Sequence, residues 1–316
     1  SKEDLEEVIE ASGMKKPQAK KFREACRLMS PRKPPPSSAE ALTHWKAVVQ
    51  EPDPAAQLQQ LSEVTELWHH GRWQLQEKLG AGGSGVVIKA VDARLGFAAI
   101  KFSCGEARSC EREAALMQRV SHPHVCRMHE HRIFHQGVLS AMCLEYLDGG
   151  SLDQLMQSVP DGRVRQFEVT RMAFHVLQAL EFLHGKGVIH RDVKPANIVR
   201  TSALPVNPAS ADGGEQLTGR VWKLIDFGIS VLGQEAADDA SETMLKTGTT
   251  GLKAFLGTLH WMSPEQVSPD VVVDHRTDLW SLGAAMYAAL CGQKPFAARE
   301  SDPLTVAVEI RTTPLQ

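Results

Sequence analysis

The chain has 316 residues, of which 42% are hydrophobic and 23% charged. These proportions are typical of a soluble globular protein and exclude a wholly disordered chain or a collagen-like repeat. The net charge of −3 gives no reason to expect nucleic acid or an anionic membrane as a partner. No apolar run approaches the roughly 20 residues of a membrane span. Six Cys at irregular spacings indicate reduced thiols and therefore a cytoplasmic protein.

Residues 1–30 are predicted to form two short helices separated by Gly13. The run DLEEVIEASGMKKPQAKKFREACRLM resembles the last two helices of a SAM domain, a protein-interaction module. That resemblance implies protein–protein contacts, and a plain helical hairpin is the alternative. The chain starts with Ser1 and shows no signal-peptide pattern, so we treat it as a possible fragment.

Residues 31–72 are predicted to be a proline-rich linker followed by amphipathic helices. The run PRKPPPSS at 31–38 favours extended polyproline II backbone. Two amphipathic segments then fill residues 39–70, with Pro52 and Pro54 between them. The second segment places four apolar residues on one helical face, which we expect to pack against the next part of the chain. These are Leu58, Leu61, Val64 and Trp68.

The pattern changes at Trp73, where strand-like alternation begins. A small β-rich part followed by a larger helical part predicts an α+β fold of two lobes. We place the N-lobe at 73–147 and the C-lobe at 148–316. The predicted strands cover 73–102, 125–135 and 138–147, and the predicted helices cover 106–120, 166–184 and 276–291.

A glycine-rich motif, LGAGGSGVV, occupies residues 79–87. Glycines let backbone N–H groups approach phosphate oxygens without a Cβ in the way. Dinucleotide-binding folds use a similar motif but open a helix directly after it. Here a second strand follows, at 86–91, so the sequence favours a phosphate-binding hairpin.

A lysine lies inside the apolar run AAIK at residues 98–101. Burying Lys101 is costly without an acidic partner. The helical stretch that comes next offers Glu111 and Glu113 as possible partners. The alternative is a lysine whose ammonium group reaches solvent.

Three further motifs occur in order along the chain. They are VIHRDVKPAN at 188–197, KLIDFG at 223–228, and GTLHWMSPE at 257–265 with DLWSLG at 278–283. From about Trp73 to its end the chain therefore closely resembles the eukaryotic protein kinases, with Ser-Pro-Glu in place of the usual Ala-Pro-Glu. The resemblance implies a two-lobed kinase-like fold that uses ATP and Mg²⁺.

The resemblance also implies a role for each matching residue, by position. Asp192 would accept the proton of the substrate hydroxyl, and Lys194 would reach the γ-phosphate. Thr258 would orient both of them, and Asn197 and Asp226 would bind Mg²⁺. Lys101, held by Glu113, is implied to contact the α- and β-phosphates. The implied nucleotide-binding residues are Leu79, Gly80, Gly82, Gly83, Ser84, Gly85, Val87, Ala99, Lys101, Glu145, Leu147 and Val199.

Substrate class and regulation are implied in the same way. Lys194, two residues after Asp192, is typical of serine/threonine kinases, and the motif wording is similar to the MAP kinase kinases and their upstream relatives. We therefore expect a serine/threonine protein kinase in a signalling cascade, with a protein substrate and an upstream kinase. Arg191 is typical of kinases switched by phosphate on the activation segment. Ala254 fills the usual acceptor position, so we expect Thr250 to be the switch, with Thr247 and Thr249 as alternatives.

Two departures from the family pattern leave other functions open. Between Asn197 and Asp226 lie 28 residues, and the excess around Ser202–Leu217 predicts a disordered insertion. Only 20 residues follow Phe296, so we expect the last helices of the C-lobe to be missing. A kinase-like scaffold without turnover is therefore the alternative. An aminoglycoside-type kinase would lack the motif at 257–265.

Overall fold

A computed structural model describes most of the chain from residue 38 onwards. Contacts between Cα atoms divide the chain into two units, 1–41 and 42–316, and nearly all described residues belong to the second. The described ranges are 38–67, 72–82, 85–92, 94, 96–104, 107–134, 138–201, 220–226, 231–232, 258–268, 271–296 and 303–312. The predicted helices at 1–30 and the predicted insertion at Ser202–Leu217 lie outside them.

Two helices precede the predicted N-lobe, α1 at Ser38–Val49 and α2 at Pro54–Leu67. Gln57 of α2 is fully buried, and its Nε2 donates to the carbonyls of Val48 and Val49 at 3.0 and 2.8 Å. Those carbonyls belong to the last turn of α1, which has no intrahelical donors for them. The side chain of Gln57 therefore fastens the two helices together, and α2 in turn contacts the first strand of the sheet.

The N-lobe is a five-stranded antiparallel sheet with one helix, α3, packed on its last two strands. The strand order is β1-β2-β3-β5-β4, in which a hairpin joins β1 to β2 across Gly82 and Gly85. The predicted strand-rich region is confirmed. The bounds are Gln74–Gly82 for β1, Gly85–Asp92 for β2, Gly96–Cys104 for β3, Ala107–Gln118 for α3, Met128–Phe134 for β4 and Leu139–Glu145 for β5.

Gly85 is the point in the hairpin where no other residue fits. Its φ is +139°, and an added Cβ would lie 2.1 Å from the carbonyl oxygen of Phe102. We expect Gly85→Ala to lower the free energy of unfolding by about 3 kcal/mol, because both backbone strain and a backbone clash are introduced. Gly80→Ala is the matched control, since a Cβ there meets nothing within 4 Å. Urea unfolding of the two variants measures the difference, and equal stabilities would contradict this prediction.

The C-lobe is mostly helical and carries two small two-stranded sheets. A capping box at Ser151 and Gln154 starts its first helix. The helices predicted at 166–184 and 276–291 are confirmed. The helices are α4 at Leu152–Ser158, α5 at Gln166–Gly185, α6 at Arg276–Cys291 and α7 at Pro303–Thr312. The strands are β6 at Val188–Ile189, β7 at Ile198–Arg200, β8 at Trp222–Leu224 and β9 at Val231–Leu232.

The core of the C-lobe lies along one face of α5. Its buried residues recur every three or four positions, which directs a continuous apolar stripe inward. They are Val169, Met172, Ala173, Val176, Ala179, Leu180 and Leu183. This stripe joins Trp222 of β8 and Leu282 of α6 in one cluster of buried side chains. Among the described helices, none has both the length and the apolar character needed to cross a membrane.

Histidine rings stack where α5 meets β8. The rings of His124 and His175 lie 4.1 Å apart between centroids and are nearly parallel, at 14°. His175 Nδ1 accepts a hydrogen bond from the backbone N–H of Trp222 at 3.2 Å, so this nitrogen carries no proton. Burial, with added repulsion from His124 and Arg171, lowers the pKa of His175 to about 4. His175 is therefore neutral in the folded protein at pH 7.

Stability is expected to fall as the pH drops from about 6.5 towards 4. The unfolded chain binds a proton at its ordinary histidine pKa near 6.5, whereas His175 in the folded protein resists it down to about 4. Protons therefore favour the unfolded state in that window. We expect a loss of the order of 2 kcal/mol, because water partly screens the half-buried ring. Urea unfolding at several pH values gives the free energy of unfolding as a function of pH. This free energy should depend less on pH in His175→Gln than in the wild type, and an equal dependence in both proteins would contradict the prediction.

Candidate active site

Lys101 and Asp226 form an ion pair across the cleft between the lobes. Lys101 is on β3 and only 5% exposed, and Asp226 comes two residues after the end of β8. Lys101 Nζ lies 2.8 Å from Asp226 Oδ1. Glu113, predicted to hold Lys101, is on α3, but its side chain lies outside the described part of the structure. The Lys101–Glu113 pair therefore stays a prediction.

The segment that carries Asp192 runs from β6 to β7, and hydrogen bonds to Asp278 of α6 hold it in place. The carboxylate of Asp278 is wholly buried and accepts from the backbone N–H groups of His190 and Arg191 at 2.9 and 2.8 Å. His184 Nε2 lies 2.7 Å from the same carboxylate. Arg191 has φ +63°, a conformation that side chains disfavour, and it directly precedes Asp192. These buried bonds fix the backbone at the site.

Asp192 is the centre of a hydrogen-bond network that joins four of the predicted residues. Lys194 Nζ donates to Asp192 Oδ2 at 2.7 Å and to Thr258 Oγ1 at 3.0 Å. Asn197 Nδ2 donates to Asp192 Oδ2 and to the Asp192 carbonyl, both at 2.9 Å. Asp192 Oδ1 is buried without a hydrogen-bond partner among the described residues. The network holds one oxygen and leaves the other as an acceptor for a substrate hydroxyl proton.

The predicted nucleotide-binding residues that the structure describes lie on four strands of the five-stranded sheet, just after β5, and on β7. Register places Gly80 opposite Val87, and Val87 opposite Lys101, so these three form one row across β1, β2 and β3. A Cβ on Gly80 would point into open space, which fits close approach by a phosphate group. Strand β1 carries Leu79 and Gly82, β2 carries Gly85, and β3 carries Ala99. Strand β5 ends with Glu145 and is followed by Leu147, and β7 carries Val199. Gly83 and Ser84 lie outside the described residues.

One residue of this region was missed by the sequence reasoning. Gln266 Nε2 donates to the carbonyl of Arg191 at 3.1 Å, and its Oε1 accepts from Ser263 N at 3.0 Å. Ser263 is fully buried, with its Oγ 2.6 Å from Thr277 Oγ1. These bonds attach the Ser-Pro-Glu motif to the segment that carries Asp192. The only signal in the sequence was an amide directly after that motif.

Comparison with known proteins identifies the family. The model of the protein kinase domain matches residues 73–313. The chain belongs to the protein kinase family. This kinase domain begins one residue before β1 and includes α7, the last described helix.

Individual relatives of this kinase include bacterial and plant proteins. A probable serine/threonine-protein kinase of Streptomyces coelicolor is 32% identical over 250 residues, 76% of this chain and 32% of its own. Serine/threonine-protein kinase PknB of Mycobacterium leprae is 31% identical over 255 residues, 77% of this chain and 36% of its own. A putative CBL-interacting protein kinase of Oryza sativa is 33% identical over 235 residues, which are 72% of this chain and 50% of that protein. The chain thus spans about a third to a half of these relatives.

The residues in the cleft fit the ATP and divalent metal that protein kinases generally use. The amide nitrogen of Asn197 donates hydrogen bonds to Asp192, so the amide oxygen of Asn197 is the atom that can face a cation. Asp226 supplies a carboxylate three residues after Lys223, and hard cations such as Mg²⁺ prefer such oxygen ligands. Lys101 beside Asp226 provides positive charge for phosphate groups.

Proposed function

We propose that this chain is an ATP- and Mg²⁺-dependent serine/threonine protein kinase. It transfers the γ-phosphate of ATP to hydroxyl groups of protein serines and threonines. The observation that carries the proposal is the position of Lys194, which donates to both Asp192 and Thr258. Several relatives are named serine/threonine-protein kinases, which supports the same substrate class.

Each residue has a distinct task in this mechanism. Asp192 Oδ1 accepts the proton of the attacking hydroxyl while Asn197 and Lys194 hold the other carboxylate oxygen. Lys194 and Lys101 supply positive charge to phosphate oxygens. ATP with Mg²⁺ supplies the phosphoryl group and neutralises its charge, and Asn197 and Asp226 would hold the metal. Phosphoryl transfer needs little more than such positioning and charge stabilisation.

A kinase-like scaffold is the second candidate, and binding and transfer together separate the two. Purified protein should gain several degrees in melting temperature with Mg-ATP and should phosphorylate a generic protein substrate. A scaffold would not phosphorylate the protein substrate. An aminoglycoside-type kinase would bind Mg-ATP but would phosphorylate the drug rather than the protein.

We further infer that an upstream kinase activates this enzyme by phosphorylating Thr250, which lies outside the described residues. Phosphate on this segment could pair with Arg191, since a phosphate carries about −1.5 to −2 charges and binds arginine well. Thr250→Ala is expected to lower the activity of the activated enzyme at least about tenfold, with Thr247→Ala and Thr249→Ala as controls. Mass spectrometry of the active protein should find the phosphate. Full activity of Thr250→Ala, or an unmodified active segment, would refute this assignment.

The remaining parts of the proposal concern the setting of the enzyme. Signalling in the cytoplasm agrees with the near-neutral net charge and with the reduced state of Cys126, Cys143 and Cys291, which form no disulfide within the described part of the chain. The SAM-like residues 1–30 are proposed as a protein-binding segment, and the likeness to MAP kinase kinases rests on motif wording alone.

A further inference from the structure

A charged bridge connects the hinge, residues 145–147, to the strand that leads to Asp226. Lys223 of β8 lies three residues before Asp226, and its Nζ is 2.8 Å from Glu145 Oε2. Glu145 is the last residue of β5 and the first of the hinge. The two side chains are only 14% and 28% exposed, so water and salt screen their attraction less than at the open surface. This is an ion pair between the two lobes.

Glu145 is also held from a second side, by the segment before β4. Its Oε2 accepts from the backbone N–H of Arg127 at 3.2 Å, and its own N–H donates to the Arg127 carbonyl at 2.8 Å. Two backbone bonds of 2.9 Å connect this segment to β8, from Cys126 N to Leu224 O and from Leu224 N to His124 O. The contacts form a closed ring in which the Lys223–Glu145 pair is the direct connection between hinge and β8.

Residues 223–226 connect this ring to the metal-binding position, because Lys223 belongs to the ring and Asp226 lies three residues later. Asp226 in turn pairs with Lys101 of β3 at 2.8 Å. Among the residues that the structure describes, two ion pairs join the lobes: Lys223–Glu145 at the hinge and Lys101–Asp226 further from it. If the first pair is lost, the backbone bonds through residues 124–127 still connect β8 to the hinge, but the distance from the hinge backbone to Asp226 is held less tightly. A site that must order itself on binding has lower affinity than one already ordered.

We propose that the Lys223–Glu145 ion pair is a positioning device for the nucleotide. It fixes the separation between the hinge, whose Glu145 and Leu147 are among the predicted nucleotide-binding residues, and Asp226, which would hold the metal. Lys223 acts through its partner, without touching the nucleotide itself. The inference rests on the proposed kinase function.

A double-mutant cycle tests this role. Lys223→Met keeps the apolar stem and removes the charge, and Glu145→Gln keeps the shape and an oxygen for Arg127 N–H. Calorimetry should show that the dissociation constant of Mg-ATP rises about fivefold in each single variant. A change of this size is typical when one member of a hydrogen-bond or ion-pair network is removed. The double variant should be no weaker than either single variant, and Lys223→Arg should restore wild-type affinity. In turnover, KM for ATP should rise while kcat changes less than about twofold.

The controls separate this role from a general loss of stability. Lys46→Met removes one exposed lysine from α1, and it should leave the dissociation constant unchanged. A merely structural role would lower the melting temperature without separating KM from kcat, and that result would overturn the proposal. Unchanged affinity in the single variants, or losses that add in the double variant, would overturn it as well. Failure of the wild-type protein to bind Mg-ATP would instead remove the proposed function.

Discussion

Replacing Asp192 by Asn is expected to abolish phosphoryl transfer while leaving ATP binding intact. The amide keeps the shape of the carboxylate and one oxygen for Lys194 and Asn197, but it cannot take the proton of a substrate hydroxyl. Loss of a positioned general base costs about 10²–10⁴ in rate. The dissociation constant of Mg-ATP should stay within about twofold, because Asp192 acts on the nucleophile rather than on the nucleotide.

Asp161→Asn provides the matched control for that variant. Asp161 is exposed and has φ +56°, a conformation that Asn tolerates well, so the same chemical change should leave kcat and KM unaltered. Single-turnover assays of both variants with a protein substrate would decide the matter. Turnover of Asp192→Asn close to that of the wild type would remove Asp192 from the role of general base.

Replacing Asp226 by Asn is expected to act on the nucleotide instead. The change removes the negative charge that would hold Mg²⁺ and that now lies 2.8 Å from Lys101 Nζ. The positive φ of Asp226, +66°, is one that Asn also adopts, so the backbone should remain in place. We expect Mg-ATP affinity to fall at least about thirtyfold, as for loss of a charged ligand and its hydrogen bonds.

Calorimetry with and without Mg²⁺ isolates this effect. In the wild type, adding Mg²⁺ should strengthen ATP binding markedly, whereas in Asp226→Asn the metal should make little difference. Asp274→Asn is the control, since that carboxylate is only partly buried and its ion pair in the described residues is with neighbouring Arg276. A variant at Asp226 that still gains affinity from Mg²⁺ would show that the metal is held elsewhere.

The strands and helices of this domain could be predicted because their hydrophobic periods are clear. Alternation with period two marked β2, a short apolar run marked β3, and the three-to-four-residue spacing of apolar side chains marked α5. The members of the site could be predicted too, because Asp192, Lys194 and Asn197 lie close together in one motif. The structure then brought Thr258 to them from 64 residues further along the chain.

The contacts between distant residues could not be predicted in the same way. The Lys223–Glu145 pair joins residues 78 positions apart, and the Gln266–Arg191 bond joins residues 75 apart. No local sequence pattern predicts either contact, because both arise only when β5, β8 and residues 258–268 have taken their places in the folded domain. Gln57 is similar: a glutamine on an amphipathic helix suggests a solvent-exposed position, yet tertiary packing buries it completely.

Phosphate transfer to protein by the purified chain tests the central claim most directly. The protein would be incubated with Mg²⁺, γ-labelled ATP and a generic protein substrate, and the labelled amino acids would be identified after hydrolysis. The account predicts label on serine and threonine in the wild type and a loss of about a hundredfold or more in Asp192→Asn. Label at equal levels in both proteins, or label confined to tyrosine, would contradict it.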